Sequence, residues 1–293
     1  MNSPLQTVQD RQRLLLEQSD SMVFKTVDPD PDLNIHFYLP DSHTEGPPRP
    51  VILFFFSSGW DRGHVTQFAP QALHFADRGA VTGLVEYRTD ASHGANPVQA
   101  MQDGRSAVRW VRENAERLNI DPERVTVAGG RAGGLIAGTL LLSRKLQDDP
   151  DDNTATDGKP NCAMLFSSMI DIDKDAYGVD RFASVGEAKS YGLSQFITFS
   201  QRPLIIFHGT ADRFIVYKDV EHFAKKLKRK KNVCEFFPFD GRDENFYNLN
   251  VDPFSYEAVL EQCDRFLVEN GMLNEKGDGE EDARLISWRE NDF

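Results

Sequence analysis

Short apolar runs alternate along most of the chain with stretches whose apolar residues recur every three to four positions. The apolar runs predict buried strands, and they cover about residues 51–56, 81–87, 125–128, 163–170, 203–208 and 235–239. The periodic stretches predict helices, and they cover about residues 66–77, 96–119, 216–228 and 256–270. This alternation predicts an α/β fold, with a mostly parallel, doubly wound sheet of about eight strands and helices on both faces.

Two further strands are predicted ahead of this alternation, over residues 21–27 and 33–39. The short turn Asp-Pro-Asp-Pro at 28–31 joins them. Strands joined by so short a connection pair antiparallel, so we expect them at the edge of the sheet.

The two ends of the chain differ in composition from the part between them. Residues 1–20 mix apolar and charged positions and are predicted to be an N-terminal segment with a short surface helix. Residues 274–293 form an acidic tail, predicted to be flexible, with an apolar island at 285–288. We therefore expect one domain over residues 21–273.

The net charge of the chain bears on which classes of macromolecule it can bind. The formal net charge is −13, which argues against nucleic acid or an anionic membrane as a partner. No apolar run reaches the roughly 18 residues of a membrane span. The first residues lack the basic start and apolar core of a secretion signal, so we expect a cytoplasmic protein.

Neither metal nor cofactor chemistry is indicated. Cysteines 162, 234 and 263 are an odd, widely spaced set, which predicts reduced structural thiols. No His-x-Glu or Cys-x-x-Cys spacing is present, so we expect no metal and no cofactor. The acidic stretch 145–160 predicts a solvated loop, with weak cation binding at 148–157 as the alternative.

The most informative stretch is 125–135, Val-Thr-Val-Ala-Gly-Gly-Arg-Ala-Gly-Gly-Leu. It predicts a buried strand, a glycine turn and the start of a helix, which is the form of the nucleophile elbow of an α/β hydrolase. Glycine suits both the unusual backbone angles and the close approach of helix and strand. Arg131 stands at the tip, where a serine nucleophile belongs.

The chain resembles the esterase/lipase branch of the α/β-hydrolase superfamily, in particular bacterial carboxylesterases related to acetyl-xylan and feruloyl esterases. The resemblance covers about residues 20–273. Besides the elbow, it rests on segments at 56–60, 86–88, 103–112, 121–125, 208–213 and 241–248. It implies an α/β-hydrolase fold, a serine–histidine–acid triad in that order, an oxyanion segment, and a cap that we place at residues 172–200.

The resemblance places the triad at Arg131, Asp212 and Glu244, so two of the three positions are replaced. A guanidinium stays protonated and cannot attack a carbonyl. Arg131 is therefore either an anion-binding group at a helix N-terminus or a plug that fills an unused pocket. A carboxylate beside an arginine is a weakened base. We expect an Arg131–Glu244 ion pair with Asp212 nearby.

The resemblance also assigns an oxyanion segment and pocket. These residues are Phe56, Ser57, Ser58, Gly59, Trp60 and Ala132. Serine in place of glycine keeps the backbone N–H donors but adds Cβ atoms close to the substrate. Ser57 and Ser58 are conceivable relocated nucleophiles only if a histidine lies near, and His64 is the candidate. His208 is expected to be structural.

Three hypotheses about function follow. The leading one is a pseudoenzyme with a degenerate triad, which binds a small carboxylate or ester-like ligand or a protein. The alternative is an active hydrolase or lyase of altered mechanism, in which Arg131 clamps a carboxylate and Glu244 or Asp212 acts as acid/base. The third is an interaction module that works through the acidic loop or the tail. The sequence indicates no oligomeric state.

Overall fold

The computed structural model describes residues 8–40 and 43–276. Its centre is one eight-stranded sheet. The strands are β1 (Asp20–Lys25), β2 (Leu33–Tyr38), β3 (Arg49–Ser58), β4 (Val81–Val85), β5 (Ile120–Gly130), β6 (Cys162–Ser168), β7 (Leu204–Gly209) and β8 (Cys234–Phe239). All eight correspond to strands that the apolar pattern predicts.

The spatial order of the strands is β1-β2-β4-β3-β5-β6-β7-β8. The pairs from β4 through β8 are parallel, whereas β1–β2 and β2–β4 are antiparallel. The antiparallel pair at the edge is therefore confirmed, as is the mostly parallel sheet. β5 lies in the interior, and its carboxyl end leads directly into a helix.

Helices connect the strands and cover both faces of the sheet. They are α1 (Val8–Glu17), α2 (Ala69–Asp77), α3 (Asp90–His93), α4 (Pro97–Glu113), α5 (Ala115–Leu118), α6 (Arg131–Leu142), α7 (Val185–Ser190), α8 (Tyr217–Arg229) and α9 (Pro253–Glu269). Buried residues of α4, α6 and α8 join one apolar cluster, and those of α2 and α9 join a second. The sheet therefore separates two apolar layers. Among the described helices, none is long and apolar enough to span a membrane.

The predicted helix over 96–119 is in fact two helices, α4 and α5. Asn114 separates them with non-helical angles, φ −103° and ψ 19°. Its side-chain amide donates to the carbonyl of Trp110 at 2.9 Å. Asparagine competes with the helix ladder in this way, so a side-chain hydrogen bond overrides the apolar periodicity.

The acidic stretch 145–160 is not the solvated loop that its charge predicts. Asp148 accepts from Arg109 at 2.7 Å, and the buried Asp149 accepts from Lys25 at 2.6 Å. Arg109 also binds Asp152 at 2.5 Å. The loop is therefore ion-paired to α4 and β1, and much of its negative charge is neutralised within the fold.

Candidate functional site

The turn between β5 and α6 has a strained backbone. Arg131 has a φ of +46°, in the left-handed region that residues with a Cβ rarely adopt. A Cβ on Gly129 would collide with the backbone of Gly133, and a Cβ on Gly133 would collide with the carbonyl of Phe55. The glycines therefore allow close packing of helix and strand, and this packing fixes the position of Arg131.

The Arg131 side chain reaches from the elbow into a group of polar and aromatic neighbours. Its Nη2 lies 3.5 Å from a carboxylate oxygen of Glu244 and donates to Asn245 Oδ1 at 3.4 Å. Its guanidinium carbon lies 4.9 Å from the centre of the Phe214 ring. The buried Nε has no hydrogen-bond partner in the described part of the chain. The polar contacts of Arg131 are thus long, and its Nε–H donor has no acceptor among the described residues.

Glu244 is buried and paired with two arginines. The structure brings it to Arg131, but its closer partner is Arg213, whose Nη2 lies 2.8 Å from the carboxylate. Burial alone would raise the pKa of Glu244. The hydrogen bond from Arg213 and the charges of both arginines outweigh burial and hold the pKa below its ordinary value. Glu244 is therefore an anion at neutral pH.

The sequence analysis did not identify Arg213 as a site residue. Arg213 directly follows Asp212 and closes the segment 208–213 that carries the resemblance. Its side chain is 72% exposed, yet its guanidinium reaches the 2% exposed carboxylate of Glu244. A search for any cation beside the acid position would have found it, although the sequence does not show which way the side chain points.

Asp212 makes its closest contacts within its own loop. Its Oδ1 accepts from the backbone N–H groups of Phe214 and Ile215, both at 2.9 Å. Its Oδ2 has no hydrogen-bond partner among the described residues and lies 3.6 Å from His208 Nε2. Among the described residues, the ion pairs of Asp212 include none to Arg131. Arg131 and Glu244 lie at ion-pair distance, and the contacts of Asp212 run to its own loop and to His208.

His208 is placed as a structural residue. It is fully buried, and its Nε2 donates to the carbonyl of Ile215 at 3.0 Å. Burial lowers its pKa, although the charge of Asp212 acts in the opposite direction. The imidazole therefore tends to be neutral, and it holds the loop that carries Asp212.

The oxyanion segment keeps its place at the end of β3, but its groups are already engaged. The Ser57 N–H donates to Gln67 Oε1 at 2.6 Å. The Ser58 hydroxyl lies 2.9 Å from Tyr87 Oη, whose own hydrogen goes to the Phe56 carbonyl at 2.8 Å. The described hydrogen bonds of these serines include none to a histidine. This geometry gives no support to a relocated serine nucleophile.

The cap segment, predicted over 172–200, lies over the oxyanion segment. A Cβ on Gly59 would collide with the hydroxyl of Tyr177, and a Cβ on Gly178 would lie 2.9 Å from the Trp60 ring. Trp60 is buried, and its Nε1 has no partner in the described residues. Ala132, on the first turn of α6, is also fully buried. The predicted pocket residues thus lie under the cap or beside the elbow.

The site offers no evident place for a metal ion. Among the described residues, no group of three His, Cys, Asp or Glu side chains could hold one. The charged groups of the site are instead Arg131, Arg213 and the carboxylates of Glu244 and Asp212. Such a set can bind and orient a charged ligand.

Comparison with solved structures identifies the fold. Native esterase 2 of the planctomycete Thermogutta terrifontis is 32% identical and covers 90% of this chain and 96% of its own, with a TM-score of 0.83. Structures of that esterase carry bound propionate and butyrate. The α/β-hydrolase fold is therefore confirmed for this chain.

Sequence comparison agrees with the structural likeness. Carboxylesterase NlhH of Mycobacterium tuberculosis is 37% identical over 104 residues, and the match spans 34% of this chain and 32% of NlhH, only about a third of that relative's length. The rice protein described as a probable isoprenylcysteine alpha-carbonyl methylesterase is 21% identical over 261 residues. The BD-FAE family model matches residues 35–190, more than half of the chain. The chain therefore belongs to the BD-FAE family of esterases with the α/β-hydrolase fold.

Proposed function

We propose that this chain is a non-catalytic member of its esterase family and that it binds a small carboxylic acid through Arg131. Acyl transfer needs a nucleophile and a base that takes up its proton. Arg131 stands in the nucleophile position with a guanidinium that has no reactive lone pair. Glu244 stands in the base position as an anion held by two arginines. Serine and histidine, a neutral pair, are thus replaced by a matched cation and anion.

The observation that carries the proposal is the unused donor capacity of Arg131. A guanidinium has five N–H donors in a fixed plane and pairs with a carboxylate through two of them. Here the Nε is buried without a partner, and the two contacts of Nη2 are long, at 3.4 and 3.5 Å. No side chain caps the N-terminus of α6. The Arg131 side chain is 17% exposed, so an incoming carboxylate would bind at Nη2, whose present contacts are long.

The likeness to the Thermogutta esterase supports this choice of ligand. Propionate and butyrate are bound in structures of that protein, which shares the fold over 89% of this chain. A pocket of the same architecture, with a cation in place of the nucleophile, suits the same small acids. Electrostatic attraction between guanidinium and carboxylate would add to whatever apolar contact the acyl chain makes.

The alternative function, altered acid/base chemistry at Glu244, is less well supported. A general base is most effective when its pKa lies near the working pH. The pKa of Glu244 is instead lowered by Arg213 and Arg131. Asp212 has one oxygen occupied by two backbone N–H groups. Glu244 is therefore arranged to stay ionised beside its arginines, and Asp212 to hold the backbone of its own loop.

Hydrolysis of p-nitrophenyl acetate and butyrate tests the absence of catalysis. We expect no burst and no turnover above buffer in the unmodified protein. Turnover that disappears in an Asp212→Asn variant would show that the site is catalytic and would overturn the proposal.

Calorimetric titration with propionate and butyrate tests the binding function. We expect binding to the unmodified protein and its loss in Arg131→Ala, where Glu244 keeps Arg213 as its partner. Arg62→Ala is the matched control, because Arg62 lies just beyond the oxyanion segment with its side chain 81% exposed. If neither acid binds, or if both variants bind equally well, Arg131 only fills the pocket.

A further inference from the structure

Tyr177, in the cap segment, lies directly on the oxyanion segment. A Cβ on Gly59 would collide with the Tyr177 hydroxyl, so that hydroxyl occupies the space beside the glycine. The next residue, Gly178, is packed against Trp60. The Tyr177 ring contacts Phe214, with ring centroids 5.2 Å apart. Tyr177 is thus held from both sides, and its hydroxyl has no hydrogen-bond partner in the part of the chain that the structure describes.

Arg131 and Tyr177 share the same neighbours. The Phe214 ring contacts the Arg131 guanidinium at 4.9 Å and the Tyr177 ring at 5.2 Å. The end of β3 is the second shared neighbour, because Ser58 pairs with Arg131 through a backbone bridge and Gly59 lies against Tyr177. Phe214 and the end of β3 therefore lie beside both side chains, and Phe214 and Tyr177 are each 42% exposed.

We propose that Tyr177 is a second ligand-binding residue, which donates its hydroxyl hydrogen to the carboxylate that Arg131 holds. This inference rests on the proposed function. A phenol is protonated at neutral pH and is a strong donor to an anionic oxygen. The hydroxyl at Gly59 lies where an esterase stabilises the substrate's oxygen, so the tyrosine takes over part of that role for a carboxylate.

The same geometry defines the class of acid. Phe214 and Tyr177 present aromatic surface to the ligand's carbon atoms, which favours an apolar acyl chain. The buried, ionised Glu244 beside Arg131 repels a second carboxylate. The site therefore selects short monocarboxylates over dicarboxylates of similar length, and we expect butyrate to bind more tightly than succinate.

Titration of Tyr177→Phe with propionate and butyrate tests the role of the hydroxyl. The substitution keeps the ring contact with Phe214 and removes only the donor. A hydrogen bond to a charged group predicts about a tenfold rise in Kd. Tyr191→Phe is the matched control, because Tyr191 lies in the same cap segment but packs on Phe182, with centroids 6.4 Å apart. We expect its Kd to be unchanged.

The outcomes separate this inference from the proposed function. Loss of binding in Arg131→Ala with an unchanged Kd in Tyr177→Phe would leave the function standing and refute the role of Tyr177. Absence of acid binding in the unmodified protein would overturn both. Equal affinity for butyrate and succinate would refute the monocarboxylate selectivity. Thermal unfolding of each variant verifies that altered affinity does not come from altered folding.

Discussion

Restoring the missing triad groups is the most direct test of how much hydrolase machinery the site retains. The double variant Arg131→Ser/Glu244→His places a hydroxyl at the elbow tip and an imidazole in the base position. Asp212 Oδ2 can accept a hydrogen bond from that imidazole, because it is buried without a hydrogen-bond partner among the described residues. Arg213 loses its carboxylate partner but is 72% exposed, so water replaces it.

The oxyanion segment limits the rate that the double variant can reach. A complete triad contributes about 2 × 10⁶ in kcat, as measured in a serine protease. Loss of one oxyanion donor lowers kcat by a factor of about 10²–10³. The Ser57 N–H is already bonded to Gln67 at 2.6 Å, so one donor of the segment is occupied. Dividing the first factor by the second gives the expected gain: kcat of the double variant should exceed that of the unmodified protein by a factor of about 10³–10⁴.

The assay is hydrolysis of p-nitrophenyl acetate by the double variant and by each single variant. Because triad residues act as a unit, each single substitution should recover little of the gain. A triple variant with Gln67→Ala frees the Ser57 N–H and should raise the rate by about a further 10². A folded double variant no faster than Arg131→Ser alone would refute the inference that Asp212 and the backbone donors remain competent.

Three further predictions concern the stability of the fold. Asp149→Ala removes a buried partner of Lys25 and should lower the free energy of unfolding, measured in urea, by about 3 kcal/mol. Asp151→Ala, at an exposed position, should lower it little, and equal losses in the two variants would contradict this prediction. Burial raises the pKa of Asp149, but its hydrogen bonds and cationic neighbours lower the pKa by more than burial raises it. The pKa therefore lies below its ordinary value of 3.8. The stabilisation from Asp149 is therefore present above the unfolded-state pKa and lost as pH falls through the lowered folded-state pKa, so Asp149→Asn should flatten the acid-side fall of Tm. Gly133→Ala forces a Cβ into backbone carbonyls and should lower the free energy of unfolding by more than about 3 kcal/mol. Its control is Gly186→Ala on a short helix, where a Cβ meets no close contact, and which should be neutral or stabilising by up to about 1 kcal/mol. A folded, stable Gly133→Ala variant would show that the elbow can separate from the sheet.

The sequence predicts the sheet well because buried parallel strands are marked by their own residues. The runs at 51–56 and 203–208 are apolar on both faces, and each strand lies where its run does. The helix break at Asn114 was missed because a single side-chain hydrogen bond decided it. The docking of Asp148 was missed because the stretch was interpreted by its own charge, without the arginines of α4 that face it.

The sequence gives candidate positions for the site but not their contacts. Motif spacing led to Arg131, Asp212 and Glu244, because the order of triad segments along the chain is visible in sequence. Spacing does not give side-chain direction, so Arg213 and not Arg131 proved to be the closer partner of Glu244. Tyr177 lies in an irregular segment with no periodicity, and its contact with Gly59 joins residues far apart in sequence. Such contacts follow from tertiary packing alone.

The backbone turn at Arg131 is strained, and the close packing of α6 explains why the strain persists. A non-glycine residue at φ +46° carries a conformational cost of order 1–3 kcal/mol, which is usually attributed to exposing a nucleophile. Arginine occupies this position here, and the glycines at 129 and 133 hold α6 within backbone contact of β5 and β3. Relaxing the turn would separate that helix from the centre of the sheet and expose its mainly apolar surface, since all residues of α6 after Arg131 are buried. The close packing of α6 therefore maintains the turn independently of the side chain at its tip.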